Sequence, residues 1–202
     1  MIRAALICLL MLMPAVAAAQ ALPALYDVTG VAVHDTLNVR AGPSTRFEVL
    51  AKLPSDAAGI EVVDTDVSGE WGLINIGEGS GWVALDYMAR RPGQPGDRLP
   101  NDLICSGTEP FWSFRLTPDD KATFTRDETE TALPSVLTVQ SENRTDRAAL
   151  FADGGAVVVT AVLGRALCSD GMSDRAYGLG IDLLVTDKAE VRVYSGCCSI
   201  AP

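Results

Sequence analysis

Short runs in which apolar and polar residues alternate, broken by Gly, Asp, Ser and Pro, recur along most of this chain. Period-two alternation marks a strand with one buried face, and such runs separated by turn residues mark an all-β protein. In the first half the pattern predicts strands over Thr29–Val33, Leu37–Arg40, Val49–Leu53, Ile60–Thr65, Glu70–Ile76 and Gly81–Ala84. The second half carries about eight more by the same rule. Among them are Phe111–Leu116, Lys121–Arg126, Val136–Gln140, Ala148–Ala152, Ala156–Leu163, Tyr177–Leu184 and Val191–Ser195. Phe111–Leu116 places Trp112, Phe114 and Leu116 on one face. Ala156–Leu163 alternates only weakly, which predicts a strand covered on both faces or lining a barrel interior. No segment after the N-terminal run has a convincing helical period.

Two stretches interrupt the pattern. Residues 1–19 open with Arg3, continue through the uncharged run Ala4–Ala18 and end in Ala17-Ala18-Ala19. A basic start, a short apolar run and a small-x-small site read as an export signal, cut between Ala19 and Gln20. The run is shorter than the ~20 residues that span a bilayer. Cys8 lies too early in it, after Leu6-Ile7, to be a lipid-attachment site. No later run is long and apolar enough to cross a membrane, so the mature protein is expected in the periplasm. The second interruption, Arg91-Pro-Gly-Gln-Pro-Gly-Asp-Arg-Leu-Pro100, is rich in residues that break helices and strands. It predicts a linker over 91–102 between domains at 26–90 and 103–202.

Charge and cysteine content narrow the function classes. The 202 residues carry 16 Lys+Arg against 26 Asp+Glu, a formal charge of −10, which becomes −11 once Arg3 is removed. Both halves are acidic, which excludes a nucleic-acid or anionic-lipid partner, since either needs a basic face. Of five cysteines, Cys105, Cys168, Cys197 and Cys198 remain after export, all in the second half. An even count in an exported chain predicts two disulfides. A vicinal Cys197–Cys198 bridge would strain its peptide, so Cys105 and Cys168 pair with the two tail cysteines, in either order. Vicinal thiols without a nearby His do not match zinc spacing. The single histidine, His34, sits beside Asp35 without a second acid–base partner and reads as a turn residue. No phosphate loop, calcium loop or other cofactor motif is present, and none is predicted; Gly154-Gly155 is a hairpin turn.

Residues 26–90 contain Leu37-Asn-Val-Arg-Ala-Gly-Pro-Ser-Thr45, Val49-Leu-Ala-Lys-Leu53, Glu70-Trp71-Gly-Leu-Ile-Asn-Ile76, Gly81-Trp82-Val83 and Tyr87. This order of landmarks resembles the bacterial SH3 family. The resemblance implies a small barrel of five or six strands that binds peptidoglycan or an envelope peptide or protein. Trp82 is expected in the barrel core. Trp71 and Tyr87, with Tyr26, are the aromatic candidates for ligand contact. Arg40 is expected to close a loop through its fork of donors.

The second half opens on Cys105-Ser-Gly-Thr-Glu-Pro-Phe-Trp-Ser113, centres on Cys168-Ser-Asp-Gly-Met-Ser-Asp-Arg175 with Tyr177, and closes on Gly196-Cys197-Cys198. These strings are similar to a family of uncharacterised bacterial envelope proteins and lipoproteins, which brings no activity with it. The fold expected is therefore all-β: a small SH3-like barrel followed by an antiparallel, disulfide-tied β-barrel. The loop at 168–175 is either a self-satisfied structural turn or a polar recognition patch. As a patch it would use Asp170, Ser173, Asp174 and Arg175 beside Glu109 and Trp112. Ser169 and Ser173 lack the histidine a nucleophile would need in this domain. Non-enzymatic binding is the function expected. The alternatives are a glycan-cleaving pair, Glu109 with Asp170 or Asp174, and an acidic inhibitor of a cell-wall hydrolase or lysozyme.

Overall fold

The computed structural model describes residues 21–188 and 190–201. Residues 1–19, read from the sequence as an export signal, lie outside the described residues, with Cys8 and the expected cut before Gln20. The described residues build two antiparallel β-sheets. The N-terminal strands are β1 (Ala24–Val28), β2 (Thr36–Arg40), β3 (Val49–Pro54), β4 (Ile60–Thr65), β5 (Trp71–Ile76), β6 (Gly79–Ala84) and β7 (Met88–Arg90). A 3-10 turn at Leu85–Tyr87 joins the last two. They form one seven-stranded sheet in the order β3-β2-β6-β5-β4-β1-β7. It curls around a core that includes Tyr26, Val39, Val62, Ile74 and Val83.

Two details depart from the alternation pattern. Thr29–Val33 is not a strand: Gly30 has a φ of +69° and turns the chain, and the strand lies upstream at β1. There it bridges β4 and β7, placing Tyr26 inside. Trp82 is not a core residue. A Cβ at Gly81 would lie 2.6 Å from Val39 Cγ1, so Gly81 takes the inward position against β2. The period of two then sends Val83 inward and Trp82 to the half-buried outer face.

The C-terminal strands are β8 (Leu103–Thr108), β9 (Phe111–Thr117), β10 (Lys121–Arg126), β11 (Thr129–Leu133), β12 (Ser135–Gln140), β13 (Arg147–Asp153), β14 (Val157–Cys168), β15 (Tyr177–Asp187) and β16 (Glu190–Ile200). They form a nine-stranded antiparallel sheet in the order β11-β10-β9-β8-β16-β15-β14-β13-β12. The sheet nearly closes on itself. The Val136 N–H of β12 donates to the Asp120 carbonyl at the β9–β10 turn, at 3.1 Å. Phe114, Leu150, Val159, Leu179 and Leu183 fill the interior. Of the two expectations for β14, the strand lines the barrel interior: Val159, Ala161 and Leu163 point in while Val158 and Val162 are exposed.

Two disulfides tie this barrel, Cys105–Cys198 and Cys168–Cys197. Strand geometry settles the pairing. Cys198 lies directly across the ladder from Cys105, inside the core. Its neighbour Cys197 takes the opposite face of β16, where it meets Cys168 from the end of β14.

The segment 91–102 carries no strand, yet it is fastened at both ends. The Gln94 side chain grips the Leu25 backbone, accepting its N–H at 2.6 Å and donating to its carbonyl at 2.8 Å. Leu99 is buried in the C-terminal core, and Leu25 of β1 joins that core too. Pro23 packs on β15, where a Cβ at Gly178 would lie 2.8 Å from its ring. The two barrels are thus fitted together through apolar as well as polar contacts.

Candidate functional site

A groove of about 440 Å³ with aromatic walls lies on the N-terminal barrel, between the 30–37 loop and the Trp71 and Tyr87 side chains. Its size lies within the range of small-ligand sites. Trp71 begins β5 on the outward face because Gly72 must point in: a Cβ there would lie 2.8 Å from Leu85 and 2.9 Å from Val62. The turn before it is locked by one carboxylate. Asp66 accepts the Ser68 hydroxyl at 2.6 Å, the Ser68 N–H at 3.1 Å and the Trp71 N–H at 2.9 Å. These bonds, led by the Ser68 hydroxyl, hold the Asp66 pKa below its usual value.

Tyr87 closes the 3-10 turn and is 45% exposed. Its carbonyl accepts the Thr29 N–H at 2.9 Å, which brings the 29–37 loop alongside. Gly30 lies at the ring edge, where a Cβ would sit 3.8 Å from Tyr87 Cδ1. Asp35, Asn38 and Arg40 add polar groups to the lining. Arg40 also fixes the neighbouring loop by donating to the Thr45 carbonyl at 3.1 Å and the Phe47 carbonyl at 2.8 Å. The groove therefore offers two anchored aromatic faces with donors and acceptors at its edge. Tyr26 is buried beneath the sheet and does not reach it. His34 is exposed in the adjoining loop.

The 168–175 loop is organised around Asp170. Its carboxylate accepts the Met172 N–H at 3.0 Å, the Ser173 N–H at 2.9 Å, the Ser173 hydroxyl at 2.8 Å and the Tyr177 hydroxyl at 3.2 Å. The Ser173 and Met172 backbone bonds dominate and lower its pKa to about 2. A carboxylate so engaged is a poor proton donor at neutral pH. Ser173 is spent within the same turn, since its hydroxyl also accepts the Arg175 N–H at 3.3 Å.

This loop does not project; it docks on the N-terminal barrel. The Asp174 N–H donates to the Glu78 carbonyl at 2.9 Å. The Asn75 side chain clasps Ala176 reciprocally, accepting its N–H at 2.9 Å and donating to its carbonyl at 2.8 Å. Glu61 of β4 accepts the Ile200 N–H at 3.0 Å from the end of β16. Glu109 is exposed in the β8–β9 turn. Beside it, the Thr108 hydroxyl meets the Asp170 carbonyl at 3.3 Å. Trp112 is 5% exposed, inside the core against Tyr194, and leaves the set of surface contacts. Period two carries it in with Phe114, and Gly107 opposite makes room for its indole.

The structure therefore separates the sequence candidates. Trp71 and Tyr87 meet in one groove, while Asp170, Ser173, Asp174 and Arg175 form a docking loop. Asn75, Glu61 and Glu78 are the residues sequence reasoning missed. They sit singly on strands and turns, with no motif around them. Among the described residues, no group of three or more His, Cys, Asp or Glu is placed to hold a metal.

Residues 35–89 match the bacterial SH3 domain family. No curated protein and no solved structure matches the chain. The family resemblance of residues 103–198 has no counterpart in these comparisons.

Proposed function

We propose that this chain is an exported, non-enzymatic envelope protein whose SH3 groove binds peptidoglycan or an envelope peptide through Trp71 and Tyr87. The single observation that carries the reading is the groove itself. Two aromatic side chains, each set by neighbouring backbone and glycine geometry, face polar groups across about 440 Å³ of open space. Aromatic walls with a few polar groups suit an extended peptide or the peptide stems of a wall polymer. Two disulfides support export to an oxidising compartment, where such a polymer is accessible. The C-terminal barrel then acts as a rigid platform that fixes the orientation of the SH3 domain. The engaged state of Asp170 and the docked loop give little support to the glycan-cleaving and inhibitor readings.

Co-sedimentation with purified peptidoglycan sacculi tests this. The wild-type chain should pellet with the polymer, and Trp71→Ala or Tyr87→Ala should each weaken retention by roughly tenfold or more, the usual scale for an aromatic anchor. Absence of wild-type retention, or retention of both variants at the wild-type level, counts against the proposal.

A further inference from the structure

A second cavity, of about 470 Å³, lies between the two barrels and shares no residue with the SH3 groove. Ile60 and Glu61 of β4 form one wall; Ile104, Arg175, Tyr177 and Ile200 belong to the C-terminal half. Arg175 acts on Glu61 across the cavity only at a distance and, among the described residues, makes no side-chain hydrogen bond of its own. Among the described residues no carboxylate lies within ion-pair distance of its guanidinium, and its Nε is shielded from solvent without a hydrogen-bond partner. The guanidinium carbon lies 5.6 Å from the Tyr177 ring centroid, over an aromatic surface. Every other arginine of the C-terminal barrel donates to a carboxylate, a carbonyl or a hydroxyl. A guanidinium with unused donors at a cavity suits an anion that can accept from two of them at once.

We propose that this cleft is a binding site for the free carboxylate end of a short peptide, with Arg175 as the partner of the anion. Glu61 selects for that chemistry. Once Glu61 is ionised, above about pH 7, it repels a phosphate dianion, whereas a peptide presents its last N–H beside the carboxylate. Glu61 already accepts the Ile200 N–H, yet a carboxylate has room for further donors. The isoleucines around it admit a small apolar side chain. The site stands apart from the groove reading: each can fail without the other.

Titration calorimetry on the full chain tests it, using acetyl-dialanine of either D or L configuration, each as free acid and as amide. The free acid should bind, and amidation should weaken binding at least tenfold. Arg175→Gln should cause a similar loss, and Trp71→Ala none. The acid–amide comparison uses only the wild-type chain, so it holds even if a variant folds poorly. Preference for the D form identifies wall stem peptides as the source; preference for the L form identifies protein C-termini; both support the site. Equal binding of acid and amide, no binding of either acid, or loss in Trp71→Ala with Arg175→Gln unaffected overturns it.

Discussion

Replacing Glu61 by Gln should change the pH dependence of folding in a defined direction. Burial in the cleft raises the Glu61 pKa from 4.5 to about 7, against the lowering effects of the Ile200 N–H, the Ser199 hydroxyl and the Arg175 charge. The native state therefore holds a proton that the unfolded state has released between those two values. Stability contributed at this position is intact below about pH 4.5 and falls as pH rises through about 7, the reverse of an ordinary paired carboxylate. At 1.36 kcal/mol per tenfold change, the loss is about 3 kcal/mol, trimmed to about 2–3 kcal/mol because water still reaches part of the side chain. Gln keeps an acceptor for the Ile200 N–H but cannot ionise. Urea unfolding of both proteins at pH 4 and pH 8 isolates the effect, since all other titrating groups cancel in the difference. The E61Q protein should gain about 2–3 kcal/mol relative to wild type over that interval. Parallel pH profiles would refute the placement of Glu61 in a desolvated cleft.

Other consequences follow from the same contacts. Asn75→Ala should cost about 1–3 kcal/mol by breaking the reciprocal bonds to Ala176, read as faster hydrogen exchange at the interface and faster proteolysis within 91–102. Replacing Cys105 and Cys198 together by Ala should cost about 4–5 kcal/mol in chemical denaturation, because that bridge spans 93 residues; the 29-residue span of Cys168–Cys197 should cost less. Asp170→Asn should destabilise the protein by about 1 kcal/mol at pH 7, after discounting for solvent. That difference should shrink as pH falls from 3.8 towards 2, because the folded-state pKa is depressed. Gly196→Ala should prevent folding of the C-terminal barrel, since its Cβ would collide with the Ser106 carbonyl, seen as loss of near-ultraviolet circular dichroism.

The strands most legible in the sequence are those whose inward residues are large and apolar. Trp112, Phe114 and Leu116 mark β9, and Ala122 and Phe124 mark β10. Two strands lack that signal. In β8 the inward positions are Leu103, Cys105 and Gly107, the last kept small by the Trp112 ring beside it. In β11 only Leu133 is buried, while Thr129, Glu130 and Ala132 are exposed. Trp82 misleads for a related reason: size argues for burial, but the tight approach at Gly81 fixes which face points in. The groove aromatics were legible because the SH3 landmarks place them in order. The interface was not, because Asn75, Glu61 and the backbone of Asp174 act across 101 or more residues, or from a turn, and nothing local reports a partner so far along the chain.

Chemical-shift mapping of the labelled full chain with soluble wall fragments tests the groove most directly. Shifts should concentrate on the 30–38 loop, the Trp71 indole and the Tyr87 ring, and disappear when Trp71 is replaced by Ala. Unchanged spectra, or shifts scattered away from those residues, would contradict the account.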